Sequence, residues 1–163
     1  MSSARTIIDN WLNGVERDLI GNYNRLGLKA SGQWEQTLQQ FVSTTNQGFT
    51  IGIKGQDYTE QLENGRRPNQ NQSPEALKAW VGWAGSTFLA GWVKDKGIDI
   101  SPYAVAWGIA RNGWVVPNQY NAGGLVSDVV TVKRISELNN ELVLFRVGEL
   151  RSDIVKKLNN GNN

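Results

Sequence analysis

Apolar residues recur every three or four positions along the first 26 residues of the chain, and the positions between them are mostly polar. The recurring residues are Ile7, Ile8, Trp11, Leu12, Val15, Leu19, Tyr23 and Leu26. This interval places them on one face of an α-helix. Ser3 or Thr6 is suited to cap the start of the helix, and Gly27 is suited to end it.

After Ser31 the pattern predicts a second, short helix and then a strand. One face of this helix carries Trp34, Leu38, Phe41 and Val42. From residue 48 the period changes to two, because apolar residues alternate with small or polar ones at Phe49, Ile51 and Ile53. Alternation of this kind indicates a half-buried strand. Gly52, in the middle of the strand, indicates a β-bulge or a close backbone approach.

Two Ser-Pro pairs predict helix starts in the second half of the chain, because Ser caps a helix and Pro fits its first turn. Ser73-Pro74 opens a helix that Gly85-Ser86 interrupts and Gly97 ends. Ser101-Pro102 opens a shorter helix that Gly113 stops. Residues 114–125 form a long connection, and the pattern leaves helix and strand both open for 126–135.

A final amphipathic helix is predicted from six apolar residues: Leu138, Leu142, Phe145, Leu150, Ile154 and Leu158. The polar residues 159–163 follow it and are expected to fray. A chain of 163 residues has the length of one domain, which we place at residues 1–158. The polar segment 66–73 is expected to be an exposed, mobile loop until something binds it.

Composition excludes several kinds of chemistry. The chain has no His and no Cys, so it offers no disulfide, no Cys/His zinc site and no nucleophilic Cys or His base. Acidic residues four apart, such as Glu137 with Glu141 and Glu149 with Asp153, have the spacing to hold a hard cation, but a solvated helix face is the simpler interpretation. No phosphate-binding or dinucleotide-binding motif occurs. We therefore expect no enzyme activity, no metal and no cofactor.

Charge and aromatic content favour contact surfaces. The net charge is only +2, which is small for a dedicated DNA-binding protein. Arg66-Arg67, with Lys54, Lys78 and a nearby Trp, could still form a nucleic-acid patch, although a protein interface is favoured. Seven Trp exceed what a core of this size absorbs, and exposed Trp suit either protein interfaces or sugar stacking. Subunit contacts are favoured, with Trp83, Trp92 and Trp114 as candidates.

The order of these features resembles the small neck, or tail-completion, proteins of long-tailed bacteriophages. The resemblance covers residues 28–113. It begins with Leu28-Lys29-Ala30-Ser31-Gly32-Gln33-Trp34 and continues with a strand and Tyr58-Thr59-Glu60-Gln61-Leu62-Glu63-Asn64-Gly65-Arg66-Arg67-Pro68. A Pro-started helix with a Trp, the Lys96-Gly97 stop and a helix ending at Gly113 follow in the same order.

The resemblance implies an α+β fold, with several amphipathic helices packed on a small antiparallel sheet. It also implies a structural role: a ring at the head–tail junction of the virion that joins the head connector to the tail and leaves a channel for DNA. The implied partners are copies of the chain itself, the connector or adaptor, and the tail-tube or tail-terminator protein. DNA would pass without sequence-specific contact, and no membrane is involved. The protein would lie in the virion neck, and in the host cytoplasm during assembly.

The contact residues that the resemblance implies lie between Tyr58 and Pro68. They are Tyr58, Glu63, Gly65, Arg66, Arg67 and Pro68. Other functions stay open at this point: a different tail or baseplate adaptor, a small nucleic-acid-binding protein, and a carbohydrate-binding module that uses exposed Trp.

Overall fold

The computed structural model describes residues 3–29, 32–45 and 48–160. Within them lie seven α-helices and two separate two-stranded antiparallel sheets, so the predicted α+β class is confirmed. The helices are α1 (Ala4–Arg25), α2 (Gln33–Gln36), α3 (Thr59–Asn64), α4 (Pro74–Ser86), α5 (Phe88–Asp95), α6 (Pro102–Asn112) and α7 (Val132–Asn160). The strands are β1 (Gln39–Thr45), β2 (Gly48–Lys54), β3 (Gly65–Arg66) and β4 (Trp114–Val115).

Helix α1 forms as the apolar pattern predicts. Ser3 is the cap, since its hydroxyl accepts the N–H of Thr6 at 3.1 Å, and Gly27 follows the helix with a φ of 64°. The apolar face of α1 forms one core together with Leu28, Leu125 and Val129. Trp34 completes this core, with its ring stacked on Tyr23 at 4.6 Å between centroids. An apolar cleft of about 550 Å³ remains in this core, between α1, β2 and α7.

The predicted second helix is only partly correct. Helix α2 ends after one turn, and Phe41 and Val42 lie in strand β1. The sequence from Val42 to Thr45 is rich in β-branched residues, which favour a strand once β2 is available for pairing. Pairing runs without interruption from Gln39 opposite Lys54 to Thr45 opposite Gly48, so Gly52 makes no bulge. The group closest to Gly52 is a side chain and not the predicted backbone segment: a Cβ built at Gly52 would lie 2.7 Å from the Phe41 ring.

Helices α4, α5 and α6 form a second core. Its smallest members, Ala84, Ala106 and Ala110, have no exposed surface, and they let α4 and α6 pack closely. Helix α4 ends at Ser86, as predicted, and α5 begins two residues later. Ser73 caps α4 through its hydroxyl, which accepts the N–H of Ala76. Helix α6 begins at Pro102 with Ser101 at the cap position, as predicted, but the Ser101 side chain makes no capping hydrogen bond.

Helix α7 is longer than predicted, and its apolar residues do not share one face. Leu138 is buried and Leu142 and Phe145 are half-buried, whereas Leu150, Ile154 and Leu158 are exposed. The physical reason is the step from Phe145 to Leu150, because five residues turn a helix about 140° beyond a full turn. The helix includes Asn159 and Asn160 of the predicted frayed tail, and 161–163 lie outside the described residues.

Candidate functional site

Two glycines allow the Tyr58–Pro68 segment to pair closely with the residues that follow α6. Gly65 pairs with Val115 and Arg66 pairs with Trp114, and these pairs form the β3–β4 sheet. A Cβ at Gly65 would lie 2.1 Å from the Trp114 carbonyl oxygen, and one at Gly113 would lie 2.4 Å from the Arg66 carbonyl oxygen. Both residues also have φ near +80°, which only Gly adopts without cost. Glycine is therefore required on both sides of this contact.

Glu63 anchors the segment that leads into α7. Its carboxylate accepts the backbone N–H of Val126 at 2.7 Å and that of Ser127 at 3.2 Å. Burial acts to raise the pKa of Glu63, but the hydrogen bonds from the Ser127 side chain and from three backbone N–H groups together lower this pKa below its ordinary value. The amide of Asn121 strengthens the same junction by donating to the Leu62 carbonyl at 2.7 Å. Glu63 therefore acts as a structural carboxylate, with its oxygens turned to backbone donors.

Arg66 is held between two neighbouring side chains. Its guanidinium lies 4.3 Å from the centre of the Trp80 ring, and Nη2 donates to Oδ1 of Asn69 at 2.5 Å. Burial lowers the pKa of Arg66. Contact with an aromatic face and an amide oxygen leaves less of the guanidinium available to an outside partner.

The loop at residues 66–73 is more fixed than predicted. The backbone N–H of Asn69 donates to the Ala110 carbonyl at 2.9 Å, and the Gln72 side chain donates to the same carbonyl at 3.1 Å. The predicted mobile loop is thus wrong in this respect, because the loop satisfies a carbonyl that the end of α6 leaves without a helical partner. Its exposed side chains include Arg67 and Pro68.

Most of the predicted contact residues line a groove of about 560 Å³. Its lining is Glu60, Gln61, Asn64, Gly65, Arg66, Arg67, Pro68, Asn112, Trp114 and Val115. Gly65, Arg66, Arg67, Pro68 and Trp114 were all predicted from sequence. Tyr58 lies outside this lining, at the start of α3, and burial raises the pKa of its phenol.

Trp92 and Trp114 belong to an aromatic cluster that the sequence did not reveal as a unit. Their rings are perpendicular at 5.8 Å, and Tyr120 lies 5.8 Å from Trp92 and 6.4 Å from Trp114. Tyr120 was missed because it lies in the connection 114–125. Trp83 belongs to a different group, where its ring meets Trp80 at 6.5 Å and Phe88 at 5.5 Å.

Helix α7 carries a feature that sequence reasoning also missed. Val143, Val147, Leu150 and Ile154 are all more than half exposed. Their spacing of four, three and four residues was the available signal, since it continues one stripe along a helix. We call these four residues the α7 stripe.

The acidic pairs of α7 are solvated, as the simpler interpretation predicted. Glu137 lies 3.9 Å from Lys133, and Glu149 lies 2.8 Å from Arg146, all on the exposed surface. In the described ranges no group of three acidic residues is placed to hold a metal ion. No helix there combines the length and apolar character needed to cross a membrane.

Comparisons with protein-family models, with curated proteins and with solved structures find no match for this chain.

Proposed function

We propose that the chain is a structural virion protein of a bacteriophage neck, one subunit of a ring that joins the head connector to the tail around a DNA channel. The observation that carries the proposal is the amount of apolar surface left uncovered. Among the described residues, large exposed apolar side chains are as numerous as all buried apolar ones. A free-standing monomer of this size rarely exposes so much apolar surface, whereas a subunit of an assembly covers it with neighbours.

The exposed residues supply the two different patches that a ring requires. Neighbours in a ring meet through unlike surfaces, so each subunit must offer two. One candidate is the β1–β2 hairpin, where Phe41 and Phe49 are exposed on opposite faces. The other is the Trp83 surface, formed by Trp83, Phe88 and Tyr103 on the second core. We propose that the hairpin of one copy contacts the Trp83 surface of the next.

The residues of the 58–68 segment fit a structural role. Glu63, Gly65 and Arg66 are occupied in holding the fold together. Arg67 and Pro68 remain exposed along the groove, where they offer contacts to the connector or the tail. The low net charge suits a channel that lets DNA pass without holding it.

Cysteine cross-linking tests the ring contact without background, because the chain has no Cys. A protein carrying Phe49→Cys and Trp83→Cys together should, after oxidation, form a ladder of covalent oligomers that extends beyond the dimer. Each single-cysteine variant should form covalent dimers and no larger covalent species. The matched control carries Arg17→Cys and Lys94→Cys, at exposed positions on the same two cores. If the Phe49→Cys and Trp83→Cys double variant forms no more covalent oligomers than this control, with or without the connector, the proposed contact is contradicted.

Two other measurements separate the remaining functions. A gene located between a portal or adaptor gene and a tail-tube gene supports the neck, and a location among baseplate genes supports a tail adaptor instead. DNA binding by the isolated protein that weakens steeply with salt would favour the nucleic-acid function. We expect no retention on DNA at moderate salt.

A further inference from the structure

The α7 stripe lies on the side of the helix that faces away from the core. On the opposite side of α7, Leu138 and Leu142 line the cleft beside α1, and Phe145 is half-buried. With about 100° between successive residues, the centre of the stripe lies roughly half a turn from these three side chains. The exposed fractions of Val143, Val147, Leu150 and Ile154 are 60%, 56%, 63% and 58%. No element in the described part of the chain covers the stripe.

The spacing of the stripe indicates that its partner is another helix. Intervals of four, three and four residues are those of the contact positions in a coiled coil. Leu144, Val155 and Leu158 widen the apolar surface on one side. We propose that the stripe is covered by α7 of a second copy of this chain, which runs antiparallel to it. In this register Val143 packs against the partner's Ile154 and Val147 packs against the partner's Leu150, and symmetry repeats both pairs.

The charges that flank the stripe favour the antiparallel direction. Arg146 and Asp153 lie along one edge of the stripe, seven residues apart and therefore in equivalent heptad positions. In the antiparallel register Arg146 faces the partner's Asp153, and the symmetric pair forms as well. In a parallel pair Arg146 would instead face the partner's Arg151, and both copies would place like charges together.

Both charged side chains are free to make this contact. Arg146 donates to Glu149 within the same helix at 2.8 Å, but a guanidinium has five N–H donors and can serve two carboxylates. Asp153 has no ion pair within the described residues.

This pairing goes beyond the proposed ring. Two antiparallel helices are related by a two-fold axis, so the same surface is used on both copies, and such a contact alone makes a dimer. The ring contact was assigned to the hairpin and the Trp83 surface, which leaves the α7 stripe available. The pairing can be tested on the isolated protein, whatever its place in a virion.

Complementary charge reversals provide the test. The full-length wild-type chain should sediment as a species of twice 18.1 kDa at micromolar concentration. Arg146→Asp and Asp153→Arg should each weaken the dimer roughly tenfold, because each turns two attractive pairs into two repulsive ones. An equimolar mixture of the two variants should restore wild-type affinity to within about threefold, since every facing pair in the mixed dimer is attractive.

The control is Lys133→Asp, which makes the same kind of charge change on α7 ten residues before the stripe begins. It should leave the dimer unchanged. A second variant, Val147→Ser with Ile154→Ser, should be monomeric. Its helical circular dichroism signal should match that of the wild type, since both residues are exposed. A wild-type monomer at these concentrations overturns the proposal. A dimer that is stronger with Arg146→Asp also overturns the proposal, because this result indicates parallel helices. An oligomer whose affinity changes with neither charge reversal overturns it as well.

Discussion

At the scale of single residues, the close approaches of Gly65 to the Trp114 carbonyl and of Gly113 to the Arg66 carbonyl set the geometry beside the groove. Each residue places its Cα against a carbonyl oxygen of the opposite strand, and each has a positive φ. The sequence marked Gly113 as a helix stop and Gly65 as part of a motif. It did not indicate that the two segments pair, because this depends on the end of α6 returning to a segment nearly 50 residues earlier in the chain.

Gly65→Ala should destabilise the protein by at least about 2 kcal/mol, since the new methyl group meets the Trp114 carbonyl oxygen and the backbone adopts a positive φ. Gly21→Ala is the matched control. A Cβ at Gly21 meets nothing within 4 Å inside α1, so this variant should gain about 0.5–1 kcal/mol. Urea unfolding followed by Trp fluorescence measures both. Equal stabilities for the two variants would refute the requirement for glycine at position 65.

Glu63 makes stability depend on pH in a defined direction. Its folded-state pKa is lowered, so its contribution is present above the ordinary value of 4.5 and is lost as pH falls through the folded-state pKa. Glu63→Gln should cost about 1–2 kcal/mol at pH 7 and progressively less below pH ~4.5. Unfolding of the variant and the wild type at pH 7 and below pH ~4.5 measures how the cost of the substitution changes with pH. Glu60→Gln, at an exposed position of the same helix, should stay within about 0.5 kcal/mol of wild type. A cost for Glu63→Gln that is independent of pH contradicts the assigned role.

The loop at residues 66–73 also depends on two hydrogen bonds, from the Asn69 backbone N–H and the Gln72 side chain, to an acceptor that is distant in the chain. Asn69 and Gln72 looked unconstrained because amide-rich segments are usually solvated. Their acceptor, the Ala110 carbonyl, is almost 40 residues away and becomes available only where α6 ends. Local composition could therefore not predict that the loop is fixed.

At the scale of elements, helices with one continuous apolar face were predictable and ambiguous segments were not. Helix α1 was predicted because its face repeats over six turns and Ser3 caps it. Phe41 and Val42 fit the face of a helix and the alternation of a strand equally well, and pairing with β2 decided the outcome. In α7 the apolar residues were recognised, but their change of face after Phe145 was not.

The packing of α4 on α6 depends on small side chains. Ala106 has no exposed surface, so Ala106→Leu should overfill the contact and cost about 1–3 kcal/mol. Ala104→Leu places the same side chain at an exposed position of α6 and should change stability by less than about 0.5 kcal/mol. Thermal unfolding compares the two variants. Similar unfolding temperatures would mean that the alanine contact tolerates a larger residue.

At the scale of the whole molecule, half of the large exposed apolar side chains in the described residues lie in the hairpin, the Trp83 surface and the α7 stripe. We propose that the first two surfaces contact ring neighbours and that the third contacts a second copy in an antiparallel pair. Composition indicated contact surfaces through the Trp excess, yet much of the exposed apolar area comes from Val, Leu and Ile of α7. The fold was needed to locate it, because only the placement of α7 shows which side of the helix packs against the core and which side is left exposed.

The central claim is that this chain is a ring subunit of a phage neck. Cryo-electron microscopy of virions from a phage whose genome carries the gene for this chain tests this proposal most directly. We predict a closed ring between the head connector and the tail, with α1, the β1–β2 hairpin and the α4–α6 core fitting each subunit, and the Trp83 surface against the neighbouring hairpin. A neck fully accounted for by other proteins, with this chain absent from the particle or located at the distal end of the tail, would contradict the claim.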